Sequence, residues 1–282
     1  MIPVSLLSAY LYCPRKVYLQ KVLKLTEPTR ESTLKGTIKH MVFSAFAERE
    51  RSVVSSIYPE HSFKDVRKYF EDAFGQELKN AIIQKKKPIL RLNLEPDLVY
   101  RRLWPHFERD IAARTMYVWD FIQKTHKYGT ELWENLTPKI KSEYALESES
   151  LGLKGVVDQV LVYENALVPL EIKTGQPPKE GIWPGHRIQL AAYMLVIEDI
   201  FSMAVKKGEV YYLSNDVREL HMNPFLKNDV LKTKETVENL LNSTTLPPIL
   251  KKEGKCEKCG LKEKCHDEKF IRQLQQKTLN TT

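Results

Sequence analysis

Asp158, Glu171 and Lys173 fall within one stretch, Gly155 to Gly175, where two β-branched, apolar runs, Val156 to Tyr163 and Leu167 to Thr174, flank Glu164 and Asn165. Asn favours a two-residue hairpin loop, so the stretch is expected to fold back on itself as a β-hairpin. With Glu164 and Asn165 as the loop, Tyr163 faces Ala166, and counting pairs outward sets Asp158 opposite Glu171. Side chains alternate along a strand, which puts Lys173 on the same face as Glu171, and opposed residues hold their Cβ atoms only about 5 Å apart. Two carboxylates that close repel each other unless a cation lies between them. A divalent ion that favours oxygen ligands, Mg²⁺ or Mn²⁺, supplies the attraction, and the nearby ammonium can orient water or stabilise developing charge. That is the chemistry of metal-dependent phosphodiester hydrolysis. The alternative is a solvated sheet face that carries Asp, Glu and Lys without a ligand.

Other residues extend the set. Gln189 and Tyr193 are four apart in the helix-like run Gln-Leu-Ala-Ala-Tyr-Met-Leu-Val-Ile, so they project from one face. Upstream, Gly36 and His40 lie on a segment with helical spacing at Ile38, Val42 and Phe46. A single His on a helix is more often a surface residue than a ligand, and His40 acquires meaning only from its companions.

Four cysteines form a second constellation: Cys13, then Cys256, Cys259 and Cys265. A C-x-x-C pair followed by a third Cys lets thiolates in a tight loop converge on one soft centre, with Cys13 as the remaining ligand tying distant parts of the chain together. Zinc suits four thiolates, and His266 next to Cys265 is a spare ligand; the intervals match neither common ferredoxin pattern. Unrelated reduced thiols are the plainer reading. Disulfides are disfavoured, because no charged-then-apolar secretion signal opens the sequence.

Taken in order, Gly36 and His40 (G-x-x-x-H), Gly155 and Asp158 (G-x-x-D), Glu171, Ile172 and Lys173 (E-x-K), and Gln189 and Tyr193 (Q-x-x-x-Y) resemble the motifs of the RecB-like branch of the PD-(D/E)XK nuclease superfamily. Each motif is weak alone, and four in series are strong. The resemblance implies that His40, Asp158, Glu171 and the backbone carbonyl of Ile172 ligate a metal ion, Mg²⁺ or Mn²⁺. It implies that Lys173 assists the attacking water, and that Gln189 and Tyr193 support the site or the nucleic-acid backbone. With its one-plus-three cysteines the chain is similar to the CRISPR-associated exonucleases of that branch, the fourth Cas family. The similarity implies a [4Fe-4S] cluster on Cys13, Cys256, Cys259 and Cys265. It further implies trimming of single-stranded DNA ends of prespacers, in partnership with CRISPR adaptation integrase proteins. A DNA repair exonuclease of the same branch, or a non-catalytic DNA-end-binding adaptor, are the alternatives. No helicase P-loop of the G-x-x-x-x-G-K-[ST] type occurs.

Composition agrees without deciding. The 282 residues are 42% hydrophobic, enough for a core and against a disordered chain. Lys and Arg number 44 against 36 Asp and Glu, a net charge of +8 that favours polyanions. The apolar run Leu190 to Ile197 is far short of a bilayer span, so a cytoplasmic protein without a membrane partner is expected; an oligomer is left open. Arg15, Lys16 and Tyr18, and Trp183, His186 and Arg187, interleave cations with aromatics that could stack bases and track phosphates.

The elements that must position these residues follow from pattern. A helical segment over about Val4 to Leu25 is interrupted at Cys13-Pro14, and Gly36 and His40 lie on the next helix. Apolar spacing from Ser62 to about His126 predicts helices split by Pro88, Pro96 and Pro105, a helical insertion between His40 and the sheet. Ile140 to Leu151 is expected as the strand before the hairpin, turning at Gly152. Further strands are expected at Glu209 to Ser214 and Val217 to Met222, with helices at Lys227 to Leu241 and beyond His266, the latter ending in a frayed tail. The expected architecture is α/β (α+β): a restriction-endonuclease-like PD-(D/E)XK core with a mixed sheet, a helical insertion and a C-terminal iron–sulfur module. Its parts would be residues 1–30 supplying one cysteine, 31–135 with the His motif and insertion, 136–245 as the nuclease core, and 246–282 as the cysteine module and tail.

Overall fold

The computed structural model describes residues 1–173, 175–212, 216–250, 253–257 and 259–279. Thr174, expected at the end of the hairpin, Leu213 and Ser214, expected at the end of a strand, and the tail past residue 279 lie outside the described residues. The elements run β1 (Ile2–Pro3), α1 (Val4–Tyr12), α2 (Pro14–Lys21), α3 (Glu31–Ser55), α4 (Phe63–Gln84), α5 (Lys86–Arg91), α6 (Pro96–Thr125), α7 (Gly129–Asn135), β2 (Lys139–Ser148), β3 (Leu153–Val162) and β4 (Leu167–Lys173). They continue with α8 (Pro184–Phe201), β5 (Lys207–Tyr212), β6 (Asp216–His221), α9 (Pro224–Leu241), α10 (Glu253–Glu257), α11 (Lys262–His266) and α12 (Glu268–Leu279). The chain divides into two compact units, one of residues 1–28, 145–156 and 168–282, the other of residues 29–144 and 157–167.

A six-stranded mixed sheet has the order β1-β3-β4-β5-β6, with β2 also paired to β3. The expected meander of β2, β3 and β4 is present, and the hairpin closes as its loop chemistry dictates: the N–H of Tyr163 donates to the carbonyl of Ala166 at 2.9 Å. Parallel β4 and β5 need a crossover, and α8 provides it. Every residue of α8 from Ile188 to Ile197 is buried, so this stretch of the helix belongs to the interior. Gly208 at the start of β5 lets α8 approach, since a Cβ there would stand 2.9 Å from Leu190 Cδ1.

Cys13 separates α1 from α2. Proline disfavours helical backbone in the residue before it, and Cys13 is extended (φ −162°, ψ 104°), with Pro14 opening α2. The Cys13 sulfur accepts the N–H of Lys16, so it also caps the helix it begins.

The helical unit is built on an aromatic core. Phe43, Phe46, Phe70, Phe74 and Phe107 are buried, with Phe46 and Phe74 stacked at 4.0 Å between centroids. Ser62 and Asp65 form a reciprocal capping box that starts α4. Arg114 pairs with Glu50 inside this core and lies over the Phe46 ring. The proline breaks are corrected in one place. Pro96 opens α6, but Pro105 sits inside it without ending it. Proline removes a bond to the carbonyl four residues earlier; here that carbonyl belongs to exposed Arg101 and Pro105 is exposed too, so water can replace the missing donor. Among the described residues no helix is long and apolar enough to cross a membrane.

Candidate active site

The helical unit gathers one set of ligand groups. His40 is on α3, Asp158 is on β3, and both meet Glu143 of β2. His40 Nδ1 lies 2.6 Å from Glu143 Oε1 and 3.4 Å from Asp158 Oδ1, and one ligand atom from each of the three lies within 4.8 Å of the others. The Asp158 side chain is 7% exposed and that of His40 48%, so the group has a buried floor and an open side. Cis ligands of an octahedral ion with bonds of about 2.1 Å stand about 3 Å apart. The two distances bracket that value, so one imidazole and two carboxylates have the spacing of a divalent-ion site.

Glu143 is absent from the sequence expectation. Its φ is +50°, a left-handed conformation inside a strand, which costs a residue with a Cβ about 1 kcal/mol or more. Such a residue interrupts the regular alternation of a strand, so counting along β2 does not reveal which way its side chain points. The one available signal was a carboxylate on the strand before the hairpin. By contrast, Gly36 has nothing within 4 Å of a Cβ added there, so its glycine is not demanded by packing.

The sheet unit gathers the rest. Glu171 and Lys173 share a face of β4, and Lys173 Nζ donates to Glu171 Oε1 at 2.7 Å. From α8, Gln189 Nε2 donates to the same oxygen at 2.7 Å, while Gln189 Oε1 accepts from Lys173 Nζ at 2.9 Å. The amide therefore clamps the pair from both of its ends, and the three side chains are fixed in one arrangement. Glu171 is 3% exposed and Gln189 7%. Ile172 stands between the charged residues, in register with Tyr211 of β5.

Tyr193, one turn beyond Gln189, is buried, and its hydroxyl donates to the carbonyl of Val156 at 2.7 Å. Its ring lies against Gly155. Tyr193 thus contacts β3 at two successive residues, Gly155 and Val156. His186, one turn before Gln189, shares its Nδ1 with the Tyr212 hydroxyl at 3.1 Å. Burial, and then the charge of Lys173, hold its pKa down at about 4, so the imidazole is neutral in the physiological range.

All four cysteines are free thiols that line a single cavity in the sheet unit, with Arg15, Lys16, Lys255 and Lys262 around them and His266 beside them. Arg15 Nε donates to Cys265 Sγ at 3.2 Å, and burial pushes the Cys265 thiol up against the opposing pull of Arg15. Neighbouring contacts tie the same segments together: Lys255 Nζ donates to the Tyr12 carbonyl and lies over the Tyr12 ring, and Glu27 accepts from the N–H of Gly260. Of the residues expected to thread a DNA strand near these thiols, Arg15 and Tyr18 are corrected, being buried at 6% and 2% exposure, while Lys16 is half-buried and pairs with Glu27. Of the second trio, Trp183 is exposed, its indole donating to Gln176, while Arg187 pairs with Asp229.

The family model of the PD-(D/E)XK nuclease superfamily matches residues 2–266. A CRISPR-associated exonuclease Cas4/endonuclease Cas1 fusion of Myxococcus xanthus is 34% identical over 128 residues, 44% of this chain and 22% of that protein. A CRISPR-associated exonuclease Cas4 of Francisella tularensis subsp. novicida is 26% identical over 125 residues, 44% of this chain and 61% of that protein. The chain thus spans less than two thirds of these relatives' length. A putative exonuclease structure from Eubacterium rectale aligns with 85% of this chain and 94% of its own, at 13% identity and a TM-score of 0.38. With a match that takes in the hairpin, the His motif and all four cysteines, the chain belongs to the PD-(D/E)XK nuclease superfamily.

Proposed function

We propose that this protein is a metal-dependent DNA exonuclease that acts on single-stranded ends. The observation that carries the reading is the convergence of His40, Glu143 and Asp158 on a space of ionic dimensions. His40, Asp158, Glu171 and the Ile172 carbonyl would hold Mg²⁺ or Mn²⁺, with Glu143 as a further carboxylate to it. A bound divalent ion supplies an activated water and neutralises charge developing at phosphorus. Lys173, clamped by Glu171 and Gln189, presents its ammonium to the attacking water. Gln189 keeps the pair in register, and Tyr193 holds β3 through Val156.

The four cysteines would hold a [4Fe-4S] cluster. A cavity lined by all four thiols and by four cationic side chains, which would offset the charge of a four-thiolate centre, supports one shared site for them. Similarity to a Cas4/Cas1 fusion supports a role in trimming prespacer ends beside a CRISPR adaptation integrase.

The test is cleavage of end-labelled single-stranded and duplex DNA with Mn²⁺ or EDTA, by the wild type, Asp158→Ala and Glu171→Ala. Divalent-dependent shortening of single strands that both substitutions abolish is expected. DNA-end binding without cleavage by the wild type in Mn²⁺ would instead identify an adaptor and sink the nuclease reading.

A further inference from the structure

Arg15 is a buried cation whose counter-charge is not a carboxylate. Its guanidinium belongs to a residue only 6% exposed, and no Asp or Glu oxygen among the described residues lies within 4.0 Å of it. Burying a charge without an opposite one costs several kcal/mol, and such groups are found paired. The donors of Arg15 are instead directed at the cysteine site. Nε donates to Cys265 Sγ at 3.2 Å, Nη2 to the Cys265 carbonyl at 3.1 Å, and Nη1 to the Pro247 carbonyl at 2.7 Å. The planar fork therefore grips one cysteine at both its sulfur and its backbone, and pins the segment that leads into the C-terminal cysteines.

A neutral thiol is a poor reason to bury a guanidinium. A metal-bound thiolate, part of an anionic cluster, is a good one. Hydrogen bonds to cluster sulfurs and local charge are also what set the potential of an iron–sulfur centre. A fixed positive charge beside one sulfur stabilises the state with the extra electron more than the state without it.

We propose that Arg15 is the positioning residue of the four-cysteine centre, holding Cys265 for ligation and raising the reduction potential of the cluster through its N–H···S bond and its charge. This rests on the cluster reading given above. The change it tunes is a one-electron step: an electron enters the cluster from an added low-potential mediator, and no bond to cysteine forms or breaks.

The experiment compares wild type, Arg15→Gln and Arg15→Lys, each the full chain purified without oxygen. Iron and sulfide content, the midpoint potential by mediated titration and release of iron to a chelator are read, with melting temperature as the control on folding. Arg15→Gln is expected to shift the reduction equilibrium at least tenfold toward the oxidised state, which for one electron is about 59 mV, and to release iron at least several-fold faster. Arg15→Lys keeps the charge but loses the fork, so its potential should lie between the two while its iron release still quickens. Should Arg15→Gln not fold, Arg15→Lys with wild-type potential and wild-type iron release overturns the proposal. Iron-loaded Arg15→Gln with unchanged potential and release overturns it as well, leaving the cluster reading intact. A colourless, zinc-loaded wild type overturns both.

Discussion

The ring of Tyr193 and the backbone at Gly155 are in such close contact that a Cβ on residue 155 would stand 2.9 Å from Tyr193 Cε1, while the Tyr193 hydroxyl donates to the next carbonyl, that of Val156. Two motifs that look separate in the sequence are thus halves of one joint between α8 and β3. Gly155→Ala should lose about 1–3 kcal/mol of stability through overpacking, and Tyr193→Phe about 1 kcal/mol through the lost hydrogen bond. Urea unfolding measures both, and Gly155→Ala within about 0.5 kcal/mol of the wild type would contradict the joint.

The clamp of Lys173 between Glu171 and Gln189 separates roles that a cleavage assay alone would merge. Lys173→Ala should lower the single-turnover rate by roughly 100-fold or more while Mn²⁺ affinity by calorimetry stays within about twofold, because its role is at the water and not at the ion. Near-normal cleavage by Glu171→Ala, in enzyme free of contaminating nuclease, would sink the metal assignment.

Glu143 gives the opposite separation, of stability from metal binding. Its left-handed φ of +50° is one that glycine adopts freely, so Glu143→Gly removes strain along with the carboxylate. Thermal stability is expected to hold or rise, by up to about 1 kcal/mol, while Mn²⁺ affinity falls roughly tenfold or more. Unchanged Mn²⁺ affinity would remove Glu143 from the ligand set.

The depressed pKa of His186 predicts an acid limb of stability. The folded imidazole protonates only near pH 4, whereas the unfolded one protonates near 6.5, so the unfolded state binds the extra proton as pH falls through that window. The contribution is fully present above about pH 6.5 and is lost toward pH 4; with partial solvent screening it is on the order of 1–3 kcal/mol. His186→Asn offers Tyr212 a partner that does not titrate. Its loss of stability between pH 7 and pH 4.5, in parallel urea melts, should be smaller than that of the wild type, and equal losses would refute the assignment.

How much of this was legible in the sequence depended on whether a side chain's direction follows from local pattern. The hairpin was legible because alternation and the Glu164-Asn165 loop act over a few residues, and the Tyr163 to Ala166 bond reports the expected turn. The clamp of Gln189 on Lys173 was half legible: a common helix face with Tyr193 was visible, but the crossover that carries Gln189 to β4 is a tertiary fact. Glu143 was hidden because a backbone reversal breaks the count along its strand. Arg15 was misread as a DNA-facing cation because its composition resembles a basic surface, and only the fold brings Cys265 and Pro247 to it. Pro105 misled because a proline's effect on a helix depends on whether water can reach the freed carbonyl.

The contacts of Cys13, Arg15 and Glu27 with residues 247 to 265 also have a meaning in time. At synthesis rates of about 5–20 residues per second, α1 and α2 leave the ribosome on the order of ten seconds or more before their partners exist. Through that interval the buried faces of Val17 and Leu19 and the thiol of Cys13 wait without the C-terminal cysteines. These groups are therefore open to aggregation and oxidation until the C-terminal cysteines have been made. Closure of the cysteine site falls after residue 265 has been made.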